Sequence, residues 1–360
     1  MLSIGIVGLP NVGKSTLFNA LTKSKLADAQ NYPFCTIEPN VGIVEVPDAR
    51  LLQLTAVSKS QKTVPTAIQF IDIAGIVKGA SEGAGLGNKF LSHIREVDAI
   101  AQVVRAFTDD TIIHVNNKVD PVDDADTINL ELALADLDTV KKRLDQTRKQ
   151  AKGPAAKDAA LEIALLERVL AQLEKGQPVR ELEYSDDETL IMKDLHLLTM
   201  KPMMYVVNVD EIGAGGNVPT HPFITAKTPA VGVCARLEAE LAELSPEDAH
   251  AYMQDLGMKE TGLDKIITTG YRLLNLITYF TSGEPETRAW TVKRGTKAPD
   301  AAGVIHTDFV KGFVKADVTN WEEFVAQNGW TGVRDNGKLR LEGKEYVVQD
   351  GDVCYFHIAS

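Results

Sequence analysis

A glycine-rich segment close to the start of the chain constrains the fold more than any other feature. Residues 8–15 read Gly-Leu-Pro-Asn-Val-Gly-Lys-Ser and match the pattern G-x-x-x-x-G-K-[ST]. The preceding residues Ile4–Val7 are typical of a strand, and Ser15–Thr22 are typical of a helix. A loop of this kind surrounds phosphate with main-chain N–H groups at the positive end of a helix. The sequence therefore predicts a P-loop, and with it an α/β sheet.

The P-loop residues have separate predicted roles in binding a nucleoside triphosphate. Lys14 is predicted to reach the β- and γ-phosphates, and the hydroxyl of Ser15 is predicted to bind Mg²⁺. Lys14 therefore serves both binding and catalysis. The loop and the first helical turn supply the remaining contacts, and the predicted nucleotide-binding set is Asn11, Val12, Gly13, Lys14, Ser15 and Thr16.

Two further segments are predicted to complete the metal and γ-phosphate contacts. Asp72 and Gly75 form a D-x-x-G motif directly after the predicted strand Ala67–Ile71. In P-loop proteins an acidic residue at this place holds Mg²⁺, usually through water, and the glycine N–H meets the γ-phosphate. Thr36 is the candidate switch threonine and a second Mg²⁺ ligand. A loop threonine without a ligand role remains the alternative.

Short runs of β-branched residues recur through the chain and predict the strands of one sheet. Most of them are apolar on both faces, which is typical of a mainly parallel sheet covered by helices on both sides. Helical patterns between several runs predict a doubly wound α/β fold, divided into residues 1–129 and 197–280. The runs are Ile4–Val7, Ile43–Val46, Ala67–Ile71, Ala99–Val104, Met203–Asn208 and Val231–Cys234.

Residues 130–196 interrupt this series with two amphipathic helices. One apolar stripe runs from Leu130 to Leu144, and a second runs from Leu161 to Leu173. A Gly-Pro break after Lys152 separates them, so we predict an inserted helical hairpin of the coiled-coil type. A hairpin packed flat on the sheet is the alternative. The length of both helices favours a projecting one.

From residue 281 to residue 360 the pattern changes to short strands and tight turns. Strands are predicted at Val304–His306, Gly312–Lys315 and Glu345–Val348. Asn336-Gly337 and Asp350-Gly351 are turn signals of the kind that joins neighbouring strands. The sequence therefore predicts a small β-rich C-terminal domain.

Composition excludes several classes of protein. The net charge of −12 argues against non-specific nucleic-acid binding, which needs a basic surface. The three cysteines lie far apart without metal-ligand spacing, so neither a disulfide framework nor a zinc site is indicated. The first residues lack a basic leader segment, and their apolar run is too short to span a bilayer. We expect a cytoplasmic protein with no DNA or membrane partner.

The segment after the D-x-x-G motif carries a family resemblance. Gly79–Leu91 resembles the glycine-rich switch of the Obg group of GTPases. Together with YPFCTIEPN at residues 32–40, ELALADLD at 131–138 and EYVVQDGD at 345–352, it makes the chain similar to the YchF family of Obg-like ATPases. The likeness runs from residue 1 to residue 360. It implies a P-loop domain with a helical insertion, a C-terminal TGS domain of β-grasp fold, and a preference for ATP over GTP.

The base-reading motif of GTPases has two candidates in this chain. Asn117–Asp120 reads N-K-x-D but follows a short segment that directly succeeds another strand, so we reject it. Asn208-Val209-Asp210-Glu211 follows the predicted strand Met203–Val207, with Val209 in place of the motif's lysine and Glu211 in place of its aspartate. The Asn208 amide is able to pair with adenine N6 and N7, and main-chain contact from Val209 fits an adenine edge. Guanine reading by Glu211 remains the alternative.

The residue that positions the attacking water is not given by a standard motif. Ile76 occupies the place where a Ras-type enzyme has glutamine, and a hydrocarbon side chain cannot orient water, so slow hydrolysis is expected. His93 and His114 are candidate substitutes, and the resemblance favours His114, in the loop Asp109–Asp120. A surface histidine without a role is the alternative. Asn11 indicates K⁺ dependence in related enzymes, although it is also able to cap the loop.

The predicted partners are ATP and the ribosome or ribosomal RNA, with the chain acting as a monomer. The last 80 residues carry ten Lys and Arg against twelve Asp and Glu, so they are less acidic than the rest. Phe309, Lys311, Phe313 and Lys315 alternate as in a strand, and interleaved aromatic and basic side chains are able to bind RNA. Aromatic rings inside a sheet with lysines in solvent are the alternative.

Overall fold

The computed structural model describes residues 2–27, 40–73, 85–116, 118–151, 156–211 and 221–359. The chain forms two compact units. The first takes Met1–Ser24, Ile37–Gly42 and Gln69–Ile266, and the second takes Lys25–Thr36, Ile43–Ile68 and Ile267–Ser360. The predicted division at residues 129, 196 and 280 stays a prediction.

The strands of the described ranges are β1 (Ser3–Val7), β2 (Val41–Glu45), β3 (Lys62–Val64), β4 (Ala67–Asp72), β5 (Ala99–Arg105), β6 (Met203–Asn208), β7 (Ala230–Val233), β8 (Leu276–Ser282), β9 (Glu286–Lys293), β10 (Phe313–Asn320), β11 (Arg340–Glu342) and β12 (Asp352–Ile358). The helices there are α1 (Lys14–Lys25), α2 (Ala49–Ser58), α3 (Gly85–Glu96), α4 (Pro121–Gln150), α5 (Ala156–Leu173), α6 (Asp186–Leu195), α7 (Ala235–Leu241), α8 (Pro246–Asp255), α9 (Gly262–Leu273), α10 (Ala298–Ile305), α11 (Asp308–Gly312), α12 (Trp321–Ala326) and α13 (Trp330–Asp335). Among these helices, none combines the length and apolar character that a membrane span requires.

One six-stranded sheet has the order β2-β4-β1-β5-β6-β7. Strand β1 pairs in parallel with β4 and β5, β5 with β6, and β6 with β7. Every residue of β1, β5 and β6 is buried, as continuous apolar runs in a sheet covered on both faces require. The predicted α/β fold class with a mainly parallel sheet is confirmed. Its parallel strands end at one edge, where ligands of such sheets bind.

Helices α4 and α5 form the predicted helical insertion. Helix α4 begins at Pro121, ahead of the predicted Leu130, because the Asp120 carboxylate caps it and proline favours its first turn. The insertion has an apolar core of its own, in which Val140, Leu144 and residues of α5 pack with α6. Residues 152–155, which contain the predicted break, lie outside the described ranges.

A buried carboxylate fixes α4 to the chain that leads into β6. Asp136 is 1 % exposed and accepts hydrogen bonds from the main-chain N of Leu198 and Thr199, at 2.8 and 2.7 Å. The Thr199 hydroxyl donates to it as well, at 2.6 Å. Burial raises the pKa of this carboxyl group, while the three hydrogen bonds oppose that shift. The carboxylate therefore closes the insertion on itself.

The second sheet has the order β11-β10-β12-β8-β9-β3. Strands β8 and β9 form an antiparallel hairpin, and β12 lies beside β8 in parallel. Ala298, Ala301 and Ala302 of α10 pack into the same core as residues of β8 and β10. A helix laid against a sheet with this strand order is the β-grasp arrangement that the resemblance implied. Strand β3, distant in sequence, extends the sheet beside β9.

Three local predictions in the second unit are wrong. Val304–His306 is not a strand, because Pro299 lies in the first turn of α10 and the helix runs to Ile305. Glu345–Val348 forms a turn and one isolated bridge instead of a strand. Of the alternating segment, Phe309 and Lys311 belong to α11, so strand alternation does not extend across residues 309–315.

The aromatic side chains of that segment lie inside the unit. Phe313 is 3 % exposed and Phe309 packs against the same core, whereas Lys311 and Lys315 are exposed. The aromatic rings therefore serve packing, which agrees with the alternative of aromatic rings inside the unit and lysines in solvent.

Candidate nucleotide-binding site

The loop between β1 and α1 has the backbone geometry of a P-loop. Gly8 and Gly13 have φ values of +153° and +99°, and Asn11 has a φ of +61°. A Cβ atom on Gly13 would lie 2.3 Å from Nδ2 of Asn208, and one on Gly8 would lie 2.5 Å from the carbonyl oxygen of Val103. Both positions require glycine because of backbone conformation and close approach together.

Lys14 lies on the inside of this loop. Its side chain is buried, and Nζ donates a hydrogen bond to the carbonyl oxygen of Leu9 at 2.7 Å. Burial lowers the pKa of the Lys14 ammonium group, and the nearby Asp72 carboxylate opposes that shift. A phosphate oxygen is able to replace the carbonyl as acceptor, so the side chain is placed for its predicted role.

Two oxygen ligands for a divalent cation lie next to the loop. The Ser15 hydroxyl donates to Oδ2 of Asp72 at 3.2 Å. Oδ1 of Asp72 is buried and has no hydrogen-bond partner among the described residues. Hydroxyl and carboxylate oxygens are the ligands that Mg²⁺ prefers, and an unsatisfied buried carboxylate oxygen fits a cation. The predicted contributions of Thr36 and Gly75 lie outside the described residues.

Asn208, at the end of β6, joins three segments of the site. Its side chain is 5 % exposed; Nδ2 donates to the carbonyl oxygen of Val12 at 2.9 Å, and Oδ1 accepts from the main-chain N of Ala235 at 3.0 Å. The structure thus gives Asn208 a positioning role that the sequence did not predict. One amide hydrogen and one lone pair are already used within the protein, and the contact of Asn208 with a base stays a prediction.

A cavity of about 640 Å³ opens beside the P-loop. Its walls come from the P-loop and from three other segments, namely residues 107–112, 208–211 and 234–236. Ligand pockets typically have volumes of about 300–1,000 Å³, so this one has room for the base and sugar of a nucleotide. Asn208, Val209 and Glu211, the three residues predicted to read the base, all line it.

The rim of the cavity carries charged side chains. Oε1 of Glu211 lies 4.0 Å from Nε of Arg236, which is also 3.2 Å from Oε1 of Glu240. All three side chains are exposed, so the pairing is weak in free energy. Glu211 therefore has a cationic neighbour, Arg236, at the rim of the cavity. The Cys234 thiol also lines the cavity, and burial raises its pKa.

His114 is buried instead of lying in a surface loop. Nε2 is 3.1 Å from Oδ1 of Asp124, and Nδ1 accepts a hydrogen bond from the main-chain N of Asn116 at 3.2 Å. His114 is therefore not a surface histidine, whereas His93 is exposed on α3. Both ring nitrogens of His114 are engaged, so accepting a proton from water requires one contact to break. Its catalytic role stays a prediction.

The segment before His114 contacts the P-loop directly. Nδ2 of Asn11 donates to the carbonyl oxygen of Ile113 at 3.0 Å. This contact differs from both predicted roles of Asn11, the K⁺ ligand and the loop cap. It links Ile113 to the P-loop by a single exposed hydrogen bond.

Comparison with known proteins identifies the family. The family model MMR_HSR1, described as a 50S ribosome-binding GTPase, matches residues 3–150, and YchF-GTPase_C, described as a protein of unknown function (DUF933), matches residues 276–359. A Bacillus subtilis protein called "Ribosome-binding ATPase YchF" is 54 % identical over 99 % of this chain and 98 % of its own length. The chain belongs to the YchF family.

Two other members of the YchF family also match this chain over almost its full length. The Escherichia coli O157:H7 protein with the same name is 53 % identical over 98 % of both chains. The solved structure called "Structure of the Schizosaccharomyces pombe YchF GTPase" is 42 % identical, with a TM-score of 0.88 over 99 % of this chain and 97 % of that one. The predicted family and the class of P-loop nucleoside-triphosphate hydrolase are confirmed.

The rejected N-K-x-D motif has a structural task in this YchF chain. Asp120 accepts from the first main-chain N–H groups of α4, and Lys118 pairs with it at 2.8 Å. Asn117 lies outside the described residues. A carboxylate that caps a helix is committed to that helix, so rejecting the motif as a base reader agrees with the geometry.

Sequence reasoning missed two residues of the site, Arg105 and Asp124. Arg105 is 1 % exposed at the end of β5, and its main-chain N donates to Oδ2 of Asp124 at 3.3 Å. Burial raises the pKa of the Asp124 carboxyl group, and the hydrogen bond from the main chain of Arg105 opposes that shift. A charged residue ending a predominantly apolar strand was the available signal for Arg105.

Proposed function

We propose that this chain is an Mg²⁺-dependent ATPase that hydrolyses ATP slowly and GTP less well. The observation that carries the proposal is the Asn208–Glu211 segment, which lines a nucleoside-sized cavity beside the P-loop and has Glu211 where the guanine-reading motif has its aspartate. The names of the Bacillus and Escherichia relatives support the same activity. The nucleotide state then acts as a switch that reports to a partner.

GTP hydrolysis, as in Obg relatives, is the second candidate. The fission-yeast relative is named a GTPase, and Glu211 is itself a carboxylate at the cavity. What counts against guanine is the replacement of the motif's aspartate by Glu211, whose carboxylate is carried on a longer side chain. The two candidates differ in base preference, which is directly measurable.

The metal is proposed to be Mg²⁺, held by the Ser15 hydroxyl and by Asp72, with Thr36 as a further ligand. Bound there, Mg²⁺ would neutralise charge on the β- and γ-phosphates. A monovalent K⁺ beside the phosphates is proposed as well. The side-chain oxygen of Asn11 is the atom suited to it, since Nδ2 is used on Ile113.

Lys14 and His114 are proposed as the catalytic residues. Lys14 would stabilise charge on the phosphates in the transition state, and His114 would orient or deprotonate the attacking water. His114 must first release Asp124 or Asn116, which is one reason to expect slow turnover. Ile76, which replaces a water-orienting glutamine, is the other; it lies outside the described residues.

The test is paired calorimetry with ATP and GTP on the full chain. ATP is expected to bind at least several-fold more tightly than GTP, since a lost base contact costs about 1–3 kcal/mol. Repeating the titrations without Mg²⁺ tests the need for Mg²⁺. Comparing turnover in K⁺ with turnover in Na⁺ tests the need for K⁺. Equal or tighter GTP binding contradicts the adenine proposal and favours the GTPase.

We further propose that the ribosome is the partner of this cytoplasmic protein, which acts as a monomer. The names of the bacterial relatives support this partner. With Phe309 and Phe313 assigned to the core, the exposed Lys311 and Lys315 are the remaining candidates for contact with ribosomal RNA.

Sedimentation with ribosomal particles at low salt and a non-hydrolysable ATP analogue tests the proposal. Full-length protein is expected to co-sediment, and the double variant Lys311→Glu/Lys315→Glu is expected to bind more weakly. Lys338→Glu, which changes an exposed lysine that pairs with Glu323, is the control for a single Lys-to-Glu change elsewhere in the same unit. If full-length protein stays off the particles at every nucleotide state, the ribosome proposal is wrong.

A further inference from the structure

We propose that Arg105 is a positioning residue that sets the shape of the base pocket without contacting the nucleotide. It acts through the main chain of residues 107–112, which form one wall of the cavity. The inference rests on the proposed function in one respect, namely that a purine nucleotide occupies this cavity.

The guanidinium group of Arg105 is satisfied by main-chain carbonyl oxygens. Nε donates to Phe107 at 3.2 Å, Nη2 to Asp109 at 3.1 Å and Nη1 to Ile112 at 2.9 Å. A buried cation costs several kcal/mol unless its hydrogen bonds are made, so the three carbonyls are held firmly. One side chain thus fixes three points along a segment of six residues.

The same guanidinium group also holds an aromatic side chain of the wall. Its central carbon lies 4.3 Å from the ring centroid of Phe107, within the range of a cation–π contact. Phe107 lines the cavity together with Thr108, Asp109 and Ile112. Arg105 therefore sets both the path of the wall and the orientation of its largest side chain.

Arg105 is itself held rigidly, which a positioning residue must be. Its main chain pairs with Asn208 across β5 and β6, and its N–H donates to Asp124 of α4. The next residue, Ala106, donates from its main-chain N to the carbonyl oxygen of Asn208 at 2.8 Å. Two neighbouring strand ends thus carry the two organising side chains, Asn208 toward the P-loop and Arg105 toward the opposite wall.

The planar fork of arginine is essential to this arrangement. Lysine offers a single ammonium group on a flexible stem and cannot reach three divergent carbonyls at once. Arg105→Lys keeps the charge and loses the fork, whereas Arg105→Met keeps apolar bulk and loses both. Each variant leaves the P-loop sequence unchanged, so phosphate binding provides an internal reference.

The experiment compares the affinities of ATP and of inorganic tripolyphosphate, which has no base, for each full-length variant with Mg²⁺. Arg105→Met is expected to weaken ATP binding about 10-fold or more, with tripolyphosphate affected less than about 3-fold. The affinity of Arg105→Lys for ATP is expected to lie between those of Arg105→Met and the unaltered protein. Arg180→Met is the matched control, because Arg180 is another buried arginine that donates to a carbonyl, that of Thr199, and does not line the cavity.

Three results would overturn the proposal. One is equal weakening of ATP and tripolyphosphate by Arg105→Met, which indicates general damage to the site. Another is unchanged ATP affinity in Arg105→Lys. This variant also tests the proposal if Arg105→Met does not fold. A third is an equal loss of ATP affinity in Arg180→Met. If the unaltered chain binds GTP more tightly, the adenine preference fails, while the comparison with tripolyphosphate is repeated with GTP and still tests Arg105.

Discussion

The phosphate end and the base end of the nucleotide site are built in different ways. At the phosphate end, consecutive residues of one loop supply the geometry, and two glycines with positive φ make it possible. At the base end, four segments distant in sequence surround a cavity, and buried side chains hold three of them in place. Asn208 belongs to both ends, since it contacts the P-loop and lines the cavity.

This difference explains why one end can be read from a motif and the other cannot. Main-chain N–H groups bind phosphate whatever the side chains are, so the sequence needs only glycine, lysine and serine at fixed spacing. The base end depends on long-range packing, and the residues that organise it have no fixed spacing. Variants at the two ends should therefore separate phosphate affinity from base affinity.

The largest effect is expected at the phosphate end. Lys14→Ala removes the one predicted side-chain cation on the β- and γ-phosphates, and should weaken ATP and tripolyphosphate alike by about 100-fold, with turnover lost as well. Calorimetry with both ligands measures this. Lys23→Ala on the exposed side of α1 is the control, since it pairs with Glu243 and leaves the loop intact. If Lys14→Ala weakens ATP alone, the assignment of the phosphate end is wrong.

The second effect concerns the segment that joins the two ends. His114→Ala should lower kcat by about 100-fold while the affinity for ATP changes little, because water activation acts only in the transition state. Single-turnover assays with parallel calorimetry separate the two quantities. His93→Ala, at an exposed position, should behave like the unaltered chain. An unchanged kcat in His114→Ala would restrict this residue to its structural contact with Asp124.

The smallest effect is expected for the residue shared by both ends. Asn208→Ala removes the bond to Val12 and should weaken ATP binding about 10-fold. If Asn208 acts by positioning the P-loop, tripolyphosphate loses affinity to the same degree. If it acts by reading the base, tripolyphosphate binds as before, and the comparison of the two ligands decides between these roles.

The sequence predicted most of the first unit and little of the second. Strand β6 agrees with the predicted Met203–Asn208, and the P-loop lies where the motif placed it, because both depend on local patterns. The second unit contains residues 43–68, and its strand β3 joins a sheet formed mainly by the last 85 residues of the chain. A pairing of that sequence separation leaves no local signal. The last two residues of α10, Val304 and Ile305, were predicted as a strand because they are apolar and β-branched.

Within the site, the residues that were hard to predict are those that act on protein atoms. Lys14, Ser15 and Asp72 belong to motifs defined by their ligand, and the structure brings them together. The Arg105 side chain contacts main-chain carbonyl oxygens, and the Asp124 side chain accepts from the main chain of Arg105. Such contacts are visible only once the chain is folded, so the sequence could not predict these roles. The burial of His114 was missed for the same reason, since its carboxylate partner lies on a helix that begins after the loop.

The carboxylate of Asp136 has a consequence for how this architecture can change over time. Its hydrogen bonds reach residues 62 and 63 positions further along the chain, so the chain between them forms a closed loop with both ends fixed at one place. Lengthening a flexible loop whose ends are already fixed costs little, since the entropy of closure grows only with the logarithm of its length. Extra residues between α4 and α5 should therefore cost little stability, provided that the packed core of the insertion is kept.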